Sequence, residues 1–110
     1  MKPILVLAAL LATAAPAFAQ AEPPCADDAR ARAERLLRFH AEVADLPVHV
    51  DDAVTAVAPI ATPVGSGRLD VLEVWGYVYR AQYRMHFIYA QIPGSCALTG
   101  QEILEWSNPY

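Results

Sequence analysis

Lysine is almost absent from this sequence of 110 residues, since Lys2 is the only one. The chain that follows residue 19 therefore carries seven arginines against twelve acidic residues, a formal charge of −5. Binding to nucleic acids or to anionic membranes depends on a basic electrostatic field, which a chain of this charge lacks. This composition argues against a nucleic-acid-binding protein.

Motifs for catalysis and for metal binding are lacking as well. Ser66 lies in a Gly-Ser-Gly segment, which is too short for the nucleophile elbow of hydrolases. His49 and Asp51 share one face of a predicted strand, but the sequence fixes no third metal ligand near them. His40 falls on the apolar stripe of a predicted helix, where a partly buried histidine needs no catalytic role. We therefore expect a protein without enzymatic activity, metal or cofactor.

Long apolar runs are missing except at the start of the chain. Lys2 supplies a positive charge, residues 4–15 are almost entirely apolar, and a proline precedes the small-residue triplet 17–19. This order is typical of a secretory signal peptide, here cleaved after Ala19. The alternative, an uncleaved membrane anchor, needs roughly twenty apolar residues. We predict a signal peptide at 1–19 and an exported product, periplasmic or secreted, whose mature chain has no transmembrane segment.

Cysteines are also few, since the sequence contains only Cys25 and Cys96. In an oxidising compartment an isolated pair is most simply a structural disulfide. The alternative is a redox-active pair, but the two cysteines of such pairs usually lie two residues apart. We predict a Cys25–Cys96 disulfide, which suits a domain whose hydrophobic core must be small.

A helical pattern occupies the first part of the predicted mature chain. Residues 20–26 form an extended lead that contains prolines, and the run 29–44 places apolar side chains at steps of three and four residues. Charges of alternating sign fall on the opposite side of this run, as in an amphipathic helix. Asp27 and Asp28 offer N-cap oxygens, and Pro47 ends the helix because proline donates no backbone hydrogen bond.

Beyond the helix the apolar residues recur at every second position, which is the period of a strand. We predict that the first strand is interrupted at Asp51-Asp52 and that Pro59 places it at an edge of the sheet. The apolar and aromatic region 69–92 is too long for one strand, so we expect a hairpin turn near Arg80-Ala81-Gln82. The last strand runs over 96–106, with Gly100 as a candidate bulge.

These elements predict an α+β fold class for a single domain over residues 27–110. One N-terminal amphipathic helix packs on a four-stranded antiparallel meander, and one disulfide joins the start of the helix to the start of the last strand. No internal repeat or low-complexity segment interrupts this order.

The long β region carries the candidate binding surface. Its odd-numbered residues are mainly aromatic, and its even-numbered residues include two arginines and a histidine. The aromatic set either packs under the helix as the core or lines an exposed binding face with its polar-tipped rings. The arginines either pair with acids of neighbouring strands or receive an acidic partner or a small anion. The candidate surface comprises Trp75, Tyr77, Arg80, Gln82, Tyr83, Arg84 and His86.

Two functional hypotheses follow from this pattern. The first is a small non-enzymatic module of the cell envelope that binds another envelope or secreted protein, as an inhibitor, an immunity factor or an accessory subunit does. Aromatic residues and arginine are the side chains that interfaces favour as anchors. The alternative is a periplasmic carrier or sensor of a small apolar or anionic ligand that is held between the helix and the sheet.

Overall fold

The computed structural model describes residues 21–42 and 47–106, so the predicted signal peptide lies outside the described residues. The described residues form one helix that packs on a four-stranded sheet of order β1-β2-β3-β4, in which every neighbouring pair is antiparallel. The predicted α+β class and the meander are therefore confirmed. The elements are α1 Ala26–His40, β1 Val48–Ala61, β2 Arg68–Val78, β3 Ala81–Ala90 and β4 Leu98–Glu105.

The predicted disulfide is present between Cys25 and Cys96, whose Cα atoms are 5.7 Å apart. It joins the residue that precedes α1 to the chain just before β4. Within the part of the chain that the structure describes, no helix is both long and apolar enough to cross a membrane.

Helix α1 begins and ends earlier than predicted. Cys25 is the N-cap residue and has a left-handed backbone (φ 69°) with no side-chain cap. Asp27 and Asp28 therefore lie in the first turn, where their charge interacts favourably with the helix dipole, and neither serves as the predicted N-cap. Glu42 is also left-handed (φ 54°), a conformation that terminates a helix, so α1 ends before Pro47 is reached.

The core lies between α1 and one face of the sheet, which we call the inner face. Small residues on the buried side of α1 let the helix approach the sheet closely, and Gly76 of β2 lies directly beneath Leu37. His40, which was predicted on the apolar stripe, is exposed and places its ring edge-on to Tyr83, with 5.6 Å between ring centroids. The completely buried side chains are Ala29, Ala33, Leu37, Val74, Met85 and Phe87.

A two-residue turn, Tyr79-Arg80, connects β2 to β3, and Val78 pairs with Ala81. The turn therefore lies about one residue before the predicted position. A two-residue loop places odd-numbered residues of β2 on the same face as even-numbered residues of β3. The prediction that one aromatic parity continues through both strands is wrong for this reason.

The irregularities predicted in the outer strands are present. β1 is an edge strand, and its register with β2 shifts between Val50 and Val54, across the predicted interruption at Asp51-Asp52. β4 has a register shift between the partners of Ile88 and Tyr89, where one extra residue lies next to Gly100. Both shifts are bulges that bend the strand locally.

Candidate functional site

The face of the sheet opposite α1, which we call the outer face, is covered by no element among the described residues. The strand register arranges its central side chains in rows across the sheet. Glu73 pairs with His86, which pairs with Glu102, and Trp75 pairs with Arg84, which pairs with Leu104. Aromatic, basic and acidic side chains therefore lie side by side on this face.

The first row is an internally satisfied cluster of charges. Nε2 of His86 lies 2.8 Å from a Glu73 carboxylate oxygen, and Nδ1 lies 3.5 Å from Glu102. The indole N–H of Trp75 donates to the other oxygen of Glu73 at 2.9 Å. Burial raises the pKa of Glu73, but the hydrogen bonds from His86 and Trp75 outweigh it, so that its pKa lies below its ordinary value. Both carboxylates of this row thus contact His86.

The second row continues into the β2–β3 turn and carries the two arginines. The Arg84 guanidinium lies 5.8 Å from the ring centroid of Trp106, and that of Arg80 lies 5.5 Å from the ring centroid of Tyr79. Trp75 meets Trp106 edge-on, with 6.3 Å between centroids. We call these five residues the hairpin corner. Distances of this size are those of cation–π contacts.

The guanidinium groups of Arg80 and Arg84 form no hydrogen bond or ion pair with another described residue. Sequence reasoning left open whether acids of the neighbouring strands neutralise them, and the available carboxylates lie elsewhere. Glu73 and Glu102 contact His86, Asp70 accepts a hydrogen bond from Gln91 at 2.8 Å, and Glu105 pairs with Tyr83 of the inner face. The hairpin corner therefore presents two guanidinium groups on aromatic rings in a chain that is otherwise acidic.

Tyr83 does not join the other residues of the predicted surface. It is 7% exposed and lies on the inner face, because its partner across the β2–β3 pair is Gly76. Tyr77 stays on the outer face, where its hydroxyl donates to Asp51 at 3.3 Å. Sequence reasoning missed Trp106, although a separation of two residues places it on the same face as Leu104. The predicted residues on the outer face or at its turn are Trp75, Tyr77, Arg80, Gln82, Arg84 and His86.

His49 and Asp51 lie together at the edge of the same face, with 3.4 Å between Nε2 and a carboxylate oxygen. The described residues contain no group of three His, Cys, Asp or Glu side chains that could hold a metal ion. The His49 imidazole is tilted against the Tyr77 ring, with 5.9 Å between ring centroids. It adds a further ring to the aromatic side chains of this face.

A three-residue cluster connects α1 to the inner face at the opposite end of the sheet from the hairpin corner. One carboxylate oxygen of Asp28 accepts hydrogen bonds from Arg32 at 2.7 Å and from the Tyr89 hydroxyl at 2.8 Å. The bond from Arg32 lowers the pKa of Asp28 most, burial raises it, and the bond from Tyr89 lowers it further, so the net pKa is below its ordinary value. Burial and the neighbouring Asp28 carboxylate raise the pKa of Tyr89.

This cluster predicts a loss of stability in acid. Because the pKa of Asp28 is lower in the folded than in the unfolded chain, its contribution is complete above the unfolded value of about 3.9 and disappears as the pH falls through the folded value. We expect Asp28→Asn to flatten the fall of the free energy of unfolding below about pH 4. Urea titrations between neutral pH and pH 2 measure this slope.

Glu73→Gln is a second test of the same linkage, because the pKa of Glu73 is also lowered and we expect its removal to flatten the same slope from the outer face. The double variant is expected to flatten it further than either single variant. An unchanged slope in Asp28→Asn would show that the Arg32 and Tyr89 contacts contribute nothing to folding.

A cavity of about 690 Å³ opens at the same end of the sheet, beyond the N-terminal end of α1. The space directly between the helix and the sheet is filled by buried side chains such as Leu37 and Phe87. A ligand held between the two layers, as sequence reasoning placed it, would have to displace this core.

No protein-family description, curated protein or solved structure shows a significant match to this chain. Inferences about its function therefore rest on the geometry of its own residues.

Proposed function

We propose that this chain is a small exported, non-enzymatic protein-binding module whose hairpin corner binds an acidic patch on another envelope or secreted protein. One observation carries the proposal: Arg80 and Arg84 are stacked on exposed rings without a carboxylate partner among the described residues. An inhibitor, an immunity factor and an accessory subunit all act through such a surface. Export is supported by the predicted signal peptide and by the disulfide, which persists in an oxidising compartment.

The chemistry of the corner favours a carboxylate-bearing partner. A guanidinium group offers two parallel N–H donors to a carboxylate, which gives both attraction and a defined orientation. Stacking on Trp106 and Tyr79 holds these groups near one geometry, so less side-chain entropy is lost on binding. Tryptophan, tyrosine and arginine are also the residues most often found at energetic hot spots of interfaces.

The charge of the rest of the chain restricts how such a partner can approach. With seven arginines against twelve acids after residue 19, most of the surface repels an acidic protein. The hairpin corner is an exception, since the outer-face carboxylates Glu73 and Glu102 are already engaged by His86. Repulsion elsewhere and attraction at one corner together favour a single docking orientation.

Site-specific photo-crosslinking in the exporting cell tests this proposal. A photoreactive residue replaces Leu104, which is 48% exposed and pairs with Arg84, and we expect one discrete adduct with a second exported protein. Arg84→Glu in the same background should reduce this adduct at least about ten-fold, because hot-spot arginines contribute about 2 kcal/mol or more. Arg84→Lys should recover only part of the loss, since lysine keeps the charge without the planar fork.

The control places the same photoreactive residue at Phe39, which is 84% exposed on α1, away from the outer face. An adduct with the same partner at Phe39, or an adduct at Leu104 that Arg84→Glu leaves unchanged, would contradict binding through the hairpin corner.

A further inference from the structure

The cavity beyond the N-terminal end of α1 has a mainly apolar lining. Its floor is formed by β1 and β2, where Val71 and Leu72 are almost completely buried. Pro23 and Pro24 of the N-terminal lead form one wall, and the turn 91–96 that follows β3 forms the other. A volume of about 690 Å³ lies within the range of sites that hold drug-sized molecules.

The two walls are fixed in place by covalent and hydrogen bonds. The Cys25–Cys96 disulfide joins them directly. In one wall the amide of Ala26 donates to the carbonyl of Pro23 at 3.2 Å, and in the other the amide of Ser95 donates to the carbonyl of Ile92 at 3.1 Å. A site that is formed before its ligand arrives binds without the cost of ordering a loop.

The charge of the lining decides which small molecules it accepts. Among the described residues that line the cavity, Asp70 is the only charged one and none is basic. The Asp70 carboxylate already accepts a hydrogen bond from Gln91, and the Tyr89 hydroxyl donates to Asp28. An anionic ligand would meet a carboxylate and no cation among the described lining residues. Because Asp70 already has a partner in Gln91 and most of the lining is apolar, the cavity favours an uncharged molecule.

We propose that this cavity is a binding site for an uncharged, mainly apolar small molecule of drug-like size. The site is separate from the hairpin corner: Asp70 pairs with Tyr89 near one end of the β2–β3 ladder, and Val78 pairs with Ala81 at the other. It differs from a site between the helix and the sheet, because the core fills that space. It also differs from a site for an anion.

Titration with N-phenyl-1-naphthylamine, an uncharged apolar fluorophore, tests the site in the disulfide-bonded chain. We expect saturable binding of one molecule per chain. Ala56 is exposed, lines the cavity and pairs with Leu72 of its floor, so Ala56→Trp should fill the space and weaken binding at least about ten-fold. Ala53→Trp is the matched control on the same strand, since Ala53 is exposed and lies outside the lining, and it should leave the affinity within about two-fold.

Ala56→Leu provides a smaller filling if the tryptophan variant does not fold, and near-UV circular dichroism reports folding. Non-saturable binding, or equal effects of Ala56→Trp and Ala53→Trp, would overturn the proposal. A wild-type dimer that Ala56→Trp dissociates, measured by sedimentation, would show that a second copy occupies the cavity and would also overturn it.

The charge argument has its own test in a comparison of two fluorophores. Anilinonaphthalene sulfonate is similar in shape but anionic, and we expect it to bind more weakly than the uncharged compound. Asp70→Asn should strengthen binding of the anion several-fold and leave that of the uncharged compound unchanged, because the amide keeps the acceptor for Gln91. Equal effects on both fluorophores would contradict selection by the Asp70 charge.

Discussion

Replacing Cys25 and Cys96 by alanine is expected to lower the free energy of unfolding by about 4 kcal/mol. The bond connects residues that are 71 positions apart, and closing a loop of that length restricts the unfolded chain by about this amount in the chain-entropy model. Small domains are stable by only about 5–15 kcal/mol in total, so this loss is a large part of the whole. We expect the double variant to be partly unfolded at 37 °C.

Guanidinium titrations monitored by tryptophan fluorescence measure this loss. The wild type whose disulfide has been opened by a reductant should approach the stability of the double variant. Ser95→Ala is the control, because Ser95 lies next to Cys96 and its substitution leaves the bond intact. A difference below about 1 kcal/mol would show that strain in the folded chain cancels the gain from loop closure.

The variant that lacks both cysteines also distinguishes the two proposed binding sites. The disulfide joins the two walls of the cavity, whereas the hairpin corner depends on the β2–β3 turn and the end of β4. At a temperature where the variant remains folded, binding of the uncharged fluorophore should fall and the Leu104 adduct should persist. Loss of the adduct alone would contradict the hairpin corner as a site that does not depend on the disulfide. Retained fluorophore binding would show that the disulfide is not needed to hold the two walls of the cavity.

Much of the fold could be predicted because strong local signals agree with one another. A structural disulfide is the simplest explanation of the Cys25–Cys96 pair in a chain with a predicted signal peptide, and the change from helical to alternating period marks the start of the sheet. The interruption at Asp51-Asp52 could be placed because two adjacent acids fit poorly into a pattern of alternation. In each case the local preference of the residues agrees with the structure that the whole fold adopts.

The faces of the hairpin could not be predicted from the sequence, since its turn contains no glycine. Tyr79 takes the left-handed conformation (φ 54°), which residues with a side chain seldom adopt. A displacement of the turn by about one residue reverses which side chains of β2 share a face with those of β3. Trp75 and Tyr77 therefore lie opposite Tyr83, and the predicted surface had to be corrected at that residue.

The hairpin corner was beyond sequence reasoning for a related reason. Its contacts join β3 to the residue just after β4, and the register of these strands depends on the bulge next to Gly100. The sequence marks Arg84 as a candidate anchor, but it carries no signal that Arg84 stacks on Trp106. It also does not show that His86 engages Glu73 and Glu102, or that neither arginine forms an ion pair with a carboxylate of the described residues.

The second large effect is expected where Leu37 of α1 packs onto Gly76 of β2. Leu37 is completely buried, and Leu37→Ala should lower the free energy of unfolding by about 2–5 kcal/mol. A Cβ atom on Gly76 would lie 2.8 Å from Leu37 Cδ2 and 2.9 Å from Met85 Cε, so Gly76→Ala should cost about 1–3 kcal/mol through overpacking. We therefore expect the contact of Leu37 with Gly76 to set the distance between the helix and the sheet.

The double variant tests whether this contact is the cause. Leu37→Ala removes one of the two side chains that the new methyl group would meet, so we expect Gly76→Ala to cost less in that background, with a coupling above about 0.5 kcal/mol. Gly100→Ala is the control, since its Cβ would meet only Ile88 Cδ1 at an ordinary 3.6 Å. Chemical denaturation of the variants gives both cycles. The coupling energy of Gly76→Ala with Leu37→Ala is compared with that of Gly100→Ala with Leu37→Ala. If both couplings are close to zero, close contact at Gly76 does not set the spacing between the layers.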